Sequence, residues 1–478
     1  MSTDTTHPAG HTPPTPNSPM VMPSDTTPGA HTHMSTTPHQ ATMAMPTDQG
    51  LIWPHFANMT IGLWLITSAF AAAYGSARLE ASDIIVGVAV IAFSVLSLSH
   101  RPFWKLWAPW SNAVVGLWVL FAPLVFWAPT AAGYTNDTLA GALIVVFAVL
   151  APGMPMAPGM KMEPGPDIPP GWSYNPSSWP QRAPIITLAL IAFLLSRQMA
   201  SFELGHTTSF PDPFFGNGTV RVLTSKVSKA FPIPDAGLGA VAYMIEFLMG
   251  FMGDKRRWRT MPWMVTFFGI LVIPLGVASI TLIILQPLAV GAWCTPCLIA
   301  AAAMLIMIAL TLDEVIAMCQ FLAQTKREGK PLWHTFWLGG TVNEQPADGA
   351  IHTDVVTARA MFRGTATPWN LLLSAGGGVW LMFAPAVLKQ TGAAADSDHL
   401  IGALIVTTAV IALSDVGRII RFFNIILGAW IIASPWLLDG GTHSARWSDV
   451  IAGALIVVLS ARRGPVSERY GTWQHLIR

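Results

Sequence analysis

The stretch Cys294-Thr295-Pro296-Cys297 holds the side chains and spacing best suited to covalent chemistry. Two of the chain's three cysteines sit here, at the head of an apolar run reaching about Ala317. A Cys-x-x-Cys pair opening a helix closes a small disulfide ring. Its first thiol is favoured as a thiolate, because free N–H groups and the positive dipole end point at it. The same spacing supplies half of a zinc site, but no second Cys pair and no His-x-x-x-His follows to complete one. Thiol–disulfide redox chemistry remains.

The elements that must position this pair are those of a membrane protein. Of 478 residues, 52% are hydrophobic and only 11% charged, less than half the charge of a soluble domain. A net charge of +1 offers nothing to hold nucleic acid. Twenty Trp against five Tyr suit interfacial belts. The first fifty residues have no apolar core, so no cleavable signal peptide is expected there. They are rich in Thr, Pro, His and Met and read as a disordered tail, residues 1–50. His31, His33, Met34, His39, Met43 and Met45 are donors a soft metal such as copper accepts. A solvated tail is the preferred reading, as it is for Met154, Met156, Met160 and Met162 in the Pro/Gly-rich linker 152–182. No metal site is assigned.

From Trp53 onward about twelve apolar segments approach the length that spans a bilayer. Alternate connections carry the positive charge: Arg101 and Lys105, then Lys255, Arg256, Arg257 and Arg259, then Lys326, Arg327 and Lys330, then Arg418 and Arg421, and finally Arg462 and Arg463. The positive-inside rule puts these, and both termini, in the cytoplasm. Only the loop before Arg182 carries little charge. Cys294 and Cys297 then face outward, in the oxidising compartment. Cys319 lies ~33 Å from Cys297 along one helix and cannot pair with it.

Four copies of one helical hairpin are legible. The first helix of each carries Asn58, Gly62 and Trp64; Asn112, Gly116 and Trp118; Ser374, Gly378 and Trp380; or Asn424, Gly428 and Trp430. The second opens with Asp83, Asp137, Asp398 or Asp449, followed by Gly87, Gly141, Gly402 or Gly453. Each Asp reads as an outward N-cap, and the glycines as points of close helix approach. With Ala108-Pro109-Trp110, Thr367-Pro368-Trp369 and Ser434-Pro435-Trp436, these hairpins resemble the SPW-repeat family, which implies packing rather than any set chemistry.

The central block adds a loop, Thr219-Val220-Arg221-Val222-Leu223-Thr224-Ser225, and a helix start, Asp235-Ala236-Gly237-Leu238-Gly239-Ala240-Val241-Ala242-Tyr243. Together with the outward Cys-x-x-Cys, these resemble the vitamin K epoxide reductase family over about 140 residues. The resemblance implies a four-helix bundle enclosing a quinone, ubiquinone or menaquinone. Cys294 would exchange with incoming thiols and Cys297 would lie next to the quinone. Ser225 matches the family's loop serine, and Asp235 falls where a polar residue reaches the quinone oxygen or, equally, caps the helix. The family's loop cysteine is here Thr219, and no cysteine lies between 204 and 235. The position four after the second motif cysteine, a Tyr in some members, is Ala301. The internal relay is thus missing: either the pair receives electrons directly from a partner's thiols, or oxidative protein folding is not its job.

The expected fold is all-α and polytopic, a central four-helix bundle with four two-helix repeats. After the tail come two hairpin repeats in 51–151, the linker 152–182 and the bundle at 183–320. A cytoplasmic linker at 321–365, two hairpin repeats in 366–463 and a cytoplasmic tail at 464–478 complete the chain. Buried charges merit attention in such a fold. Arg197 and Glu246 are expected to pair, Asp313 and Glu314 to snorkel to water, and His206 is a loop histidine able to relay protons. The expected function is a quinone-linked thiol oxidoreductase of the bacterial cytoplasmic membrane, in contact with lipid. It would be served by a periplasmic thioredoxin-like or other thiol-bearing protein. The alternative is a non-catalytic scaffold or sensor with a degenerate redox domain.

Overall fold

The computed structural model describes residues 51–477 apart from 73, 152–164, 343–344 and 353–354. The N-terminal tail with its His/Met cluster, and Met154, Met156, Met160 and Met162, lie outside the described residues. Among the described residues every regular element is helical. The first two hairpins are α1 (Trp53–Ala71) with α2 (Ala77–Ser97), and α3 (Pro102–Val125) with α4 (Ala131–Leu150). The central block holds α5 (Trp179–Glu203), the short α6 (Gly218–Leu223), α7 (Asp235–Phe251), the short α8 (Arg257–Thr260), α9 (Pro262–Leu285) and α10 (Thr295–Arg327). Two short helices follow, α11 (Leu332–Leu338) and α12 (Ala358–Met361). The last hairpins are α13 (Trp369–Leu388) with α14 (Gly392–Ile411), and α15 (Arg421–Leu437) with α16 (His443–Ala461).

Ten described helices are long and apolar enough to cross a bilayer, or eleven if 218–230 and the sharply bent 235–251 form one span. The chain is a multi-pass helical membrane protein. Against the twelve spans expected, α1 is the helix outside this set. It carries His55, Asn58 and Thr60, yet packs on α2 as α3 packs on α4.

The repeat residues act as the spacing foretold, with one correction. Within each hairpin the two glycines meet: a Cβ on any of the eight would come within 2.5–3.0 Å of the opposite carbonyl oxygen. The helices therefore close to backbone contact, gaining dispersion contacts that lipid cannot supply. Each tryptophan crosses to the other hairpin of its pair. Trp64 donates to Asn136 Oδ1 (2.7 Å), Trp118 to Ser82 Oγ (3.1 Å), Trp380 to Ser448 Oγ (2.9 Å) and Trp430 to Ser397 Oγ (3.0 Å). The aspartates are not N-caps. Ser76, Thr130 and Thr442 cap α2, α4 and α16 nearly two turns earlier, accepting from Leu79, Gly133 and Ala445 N–H. This carries Asp83, Asp137 and Asp449 into the helix interior, and α14, starting at Gly392, does the same for Asp398.

The connections read as positively charged gather at one end of the bundle. Trp172 bridges to Tyr470, Tyr174 to Ile351, and Thr365 to Ser414. Arg182, from the stretch whose sidedness the charges left open, is buried. It donates from Nε to Ser177 O (2.8 Å) and from Nη1 to Gly253 O (2.8 Å). Its connection therefore lies on the same side as the one between α7 and α9. Asp313 and Glu314 do not snorkel. They are 1% and 3% exposed because this cap covers them. Tyr174 donates to Asp313 (2.5 Å), and Arg257 grips both oxygens of Glu314 at 2.5 and 2.6 Å. The Arg197–Glu246 ion pair is not formed either. Arg197 turns outward to Thr135 Oγ1 (2.9 Å) and lies over the Tyr134 ring, whereas both oxygens of fully buried Glu246 lack a hydrogen-bond partner. The two residues stand on differently rotated faces of α5 and α7, which sequence depth alone does not register.

Candidate functional site

At the opposite end from the cap, α9 relaxes into a π turn at Gln286–Val290 before the chain reaches the cysteines. Gln286 is buried, and its Oε1 accepts the N–H of Cys294 (3.0 Å), which seats the motif. Cys294 is the N-cap of α10, its Sγ accepting from Cys297 N–H at 3.3 Å. The two sulfurs are joined as a disulfide. Cys319 stays apart as an exposed thiol on the same helix.

The disulfide is covered. Cys294 is 0% exposed, packed with Met199 and Leu223 and against Phe202, Phe210, Val222 and Ala236. Met199 Sδ lies 3.5 Å from Cys297 Sγ. On the other flank Cys297 and Trp293 pack among Ile283, Met382 and Phe383. Phe383 comes from the C-terminal repeats. Its ring lies 4.8 Å from that of Trp293 and stacks on Phe215 of the loop at 6.2 Å. His399 of α14 meets Trp293 edge-on at 5.7 Å. A repeat hairpin thus supplies one wall around the disulfide.

The loop between α5 and α7 is fastened over the motif by Asp212, a residue to which its sequence setting draws no attention. Its carboxylate accepts from Thr219 Oγ1 (2.5 Å), from Thr295 Oγ1 (2.5 Å) and N–H (3.1 Å), and from the N–H groups of Phe214 (3.1 Å) and Phe215 (2.9 Å). Thr219 is the position where the resembling family has its loop cysteine, and Thr295 lies between the two motif cysteines. A polar clamp therefore occupies the place of the relay. Gly218 makes the approach possible, since a Cβ there would fall 2.0 Å from Trp293 O. Burial alone would raise the Asp212 carboxyl, but the hydrogen bonds from Thr219, Thr295 and the Phe215 backbone outweigh it and hold it well below the usual carboxylate range. A group depressed in the folded state stabilises it at every pH above the ordinary carboxylate range, and that stability is lost only as pH falls through the depressed value. The clamp should therefore hold unchanged from pH 8 to pH 5.

Asp212→Ala removes this whole set of charge-assisted bonds. Losing even one such bond corresponds to about 1.5–3 kcal/mol. After reduction, alkylation of Cys294 by a mass tag should accelerate at least about tenfold, with the wild-type rate showing no added pH dependence from clamp opening between pH 5 and 8. An unchanged rate in the variant would show that Asp212 does not hold the loop.

Of the residues marked from sequence, Cys294 and Cys297 lie at the centre. Ser225 Oγ accepts from Ser228 N–H (3.3 Å), bracing the loop rather than touching the sulfurs. Asp235 opens α7 and forms a tight group with two unforeseen partners. Ser228 Oγ lies 2.7 Å from Glu203 Oε1 and 2.9 Å from Asp235 Oδ1, and Ala236 N–H reaches both carboxyl groups. His206 is pinned, with Nε2 on Ala128 O (2.7 Å) and Nδ1 near Ser201 Oγ (3.3 Å). It joins the loop to the N-terminal repeats.

The vitamin K epoxide reductase family model matches residues 183–312, and the SPW repeat domain model matches 52–151 and 368–463. The chain carries a vitamin K epoxide reductase family domain between two SPW repeat domains. No curated protein and no solved structure matches it.

Proposed function

We propose that the chain passes electrons from a partner's thiols through Cys294 and Cys297 to a membrane quinone. What supports the reading above all is the Cys294–Cys297 disulfide at the head of α10, inside the family domain. An incoming thiolate attacks Cys294, the Cys294–Cys297 bond breaks, and Cys297 leaves as the thiolate. The partner's second thiol then displaces Cys294, and the partner departs as a disulfide. Two electrons and two protons held by the reduced pair pass to the quinone, which becomes the quinol, and the Cys294–Cys297 bond re-forms.

The surroundings fit this acceptor. Met199, Phe202, Phe210, Leu223 and Phe383 pack apolar, polarizable side chains around the sulfurs, the kind of surroundings a flat apolar ring needs. Asp235 is the polar group we assign to a quinone oxygen, and Ser225 braces the loop that covers the ring. With no loop cysteine, the partner must reach Cys294 itself, so the Asp212 clamp has to open in each cycle. We place the motif on the periplasmic face of a bacterial cytoplasmic membrane, with the basic cap and both termini inside. A thioredoxin-like or other thiol-bearing protein is then the donor.

The complete burial of Cys294 under a fastened loop favours the second reading, a scaffold or sensor whose redox domain no longer turns over. Purified protein supplied with a dithiol and a soluble quinone separates the two. Catalytic quinol formation supports the oxidoreductase, and its absence with both thiols reducible supports the scaffold.

A further inference from the structure

The redox reading leaves unused the most regular feature of the repeats, their four aspartates. Each is at most 3% exposed. In the N-terminal repeat domain α1 and α3 each pack on both α2 and α4, so α2 and α4 stand diagonally. Asp83 of α2 and Asp137 of α4 reach through the middle of the bundle, and their carboxyl groups meet within hydrogen-bonding range. The C-terminal domain repeats this arrangement: Asp398 of α14 meets Asp449 of α16. The tryptophan bonds described above fix the residue before each aspartate, which holds all four carboxyl groups in register.

Two carboxylates have no hydrogen to share, and the neighbours supply too few. Asn136 donates to Asp137 Oδ1 (3.2 Å) and to the Tyr74 hydroxyl (2.7 Å), and Gln390 donates to Asp449 Oδ2 (3.2 Å). Asp83 meets the Tyr74 hydroxyl, while Asp137 Oδ2, Asp398 Oδ2 and Asp449 Oδ1 remain buried without a donor. So does Oε1 of Gln390, a side chain 6% exposed whose amide is held on Asp449 and brings that bare oxygen into the same cluster. Among the described residues no salt bridge reaches any of the four aspartates. The titratable neighbours are the Tyr74 phenol at the first pair and His399 at the second. The His399 Nδ1 is engaged with Met382 O at 2.7 Å. Unpaired anions in contact inside a bilayer repel strongly and lack hydration.

We propose that each repeat domain is a proton-binding site, in which two aspartates from diagonal helices hold one proton between them. One proton supplies the missing hydrogen and removes the mutual repulsion. The remaining single negative charge stays on the carboxyl pair, beside the amide donor, Asn136 or Gln390. The two SPW domains would then be paired proton stores, whatever the central disulfide does; the inference does not rest on the redox reading.

The test uses the full chain in lipid nanodiscs at pH 7 in sodium-free buffer, reading the infrared carbonyl band of protonated carboxylic acids. Asp313→Asn serves as the background, because Asp313 is buried too. A shared proton requires that Asp398→Asn, Asp449→Asn and the double variant each lose the same intensity, equal to one acid. The corresponding changes at Asp83 and Asp137 must lose one more. If each single variant loses half of what the double loses, every aspartate carries its own proton and the proposal fails. No loss in any variant means both are ionised and also overturns it. A band that falls on adding sodium chloride makes the ligand a metal cation instead, and the proton site is overturned in that case too. Should a variant not fold, 13C-aspartate labelling of the background protein still decides. A shifted acid band at pH 7 amounting to one acid per pair supports the site, and its absence contradicts it.

Discussion

Cys294→Ser is expected to reduce dithiol-driven quinone reduction to the uncatalysed background while leaving the fold intact. The loss follows from chemistry: without Cys294 no partner thiol can enter, and Cys297 alone cannot carry two electrons to a disulfide. The fold survives for two reasons. The ring closed by residues three apart in sequence constrains little of the unfolded chain. Serine is also a strong N-cap and can accept the Cys297 N–H that Cys294 Sγ accepts now. Thermal unfolding should therefore move by no more than about 1 kcal/mol. Cys297→Ser should lose turnover equally, because Cys294 then has no sulfur with which to re-form the disulfide, whereas a donor lacking its second thiol should stay trapped on wild-type Cys294 as a mixed disulfide with Cys297 released as the thiolate. Turnover that survives Cys294→Ser would remove the pair from the mechanism.

Glu314→Ala should be the most destabilising single change in the cap. Arg257 and Glu314 form a two-pronged ion pair with side chains 1% and 4% exposed, and Ser177 Oγ adds a third contact at 2.5 Å. Removing the carboxylate leaves the buried Arg257 guanidinium without a counter-charge, held only by the carbonyls of Met249, Gly250 and Met252, with buried Arg182 nearby. The cost of an uncompensated buried charge is about 3–5 kcal/mol. Glu314→Gln keeps hydrogen-bonding capacity and should cost less. Because the pair ties α8 to α10 at the end remote from the disulfide, unfolding midpoints should fall sharply while reactivity of the reduced Cys294 in the folded fraction stays at its wild-type value. A Glu314→Ala protein as stable as wild type would mean the cap does not depend on this pair.

Much of this architecture could be read from the chain because its signals are long or repeated. Apolar runs of about twenty residues permit few structures other than spanning helices. The Trp, Gly and Asp recurring at nearly fixed spacing mark four hairpins without any help from tertiary contacts. The cysteine pair was legible as a helix start because Gly291 breaks the preceding apolar run and Pro296 suits a first helical turn.

What escaped depends on contacts between distant segments. Asp212 sits between Pro211 and Pro213, a sequence that signals only a turn. Its partner Thr295 is 83 residues away. Phe383 and His399 lie in a domain whose sequence speaks only of packing, and nothing local says that domain lines the sulfurs. The aspartates lie deeper than their sequence suggests, because Ser76, Thr130 and Thr442 are modest signals beside an acidic residue at an apparent helix start. The buried state of Asp313 and Glu314 arises from a cap assembled from several connections, which no window of sequence contains.

The central claim is that the disulfide is a conduit to quinone. Thiol trapping of Cys294 and Cys297 in native membranes, with an alkylating mass tag before and after quinone depletion, tests it most directly. The expected result is an oxidised pair while quinone is present and accumulation of both thiols once it is removed. A pair whose redox state ignores quinone would contradict the claim and leave a static disulfide beneath a locked loop.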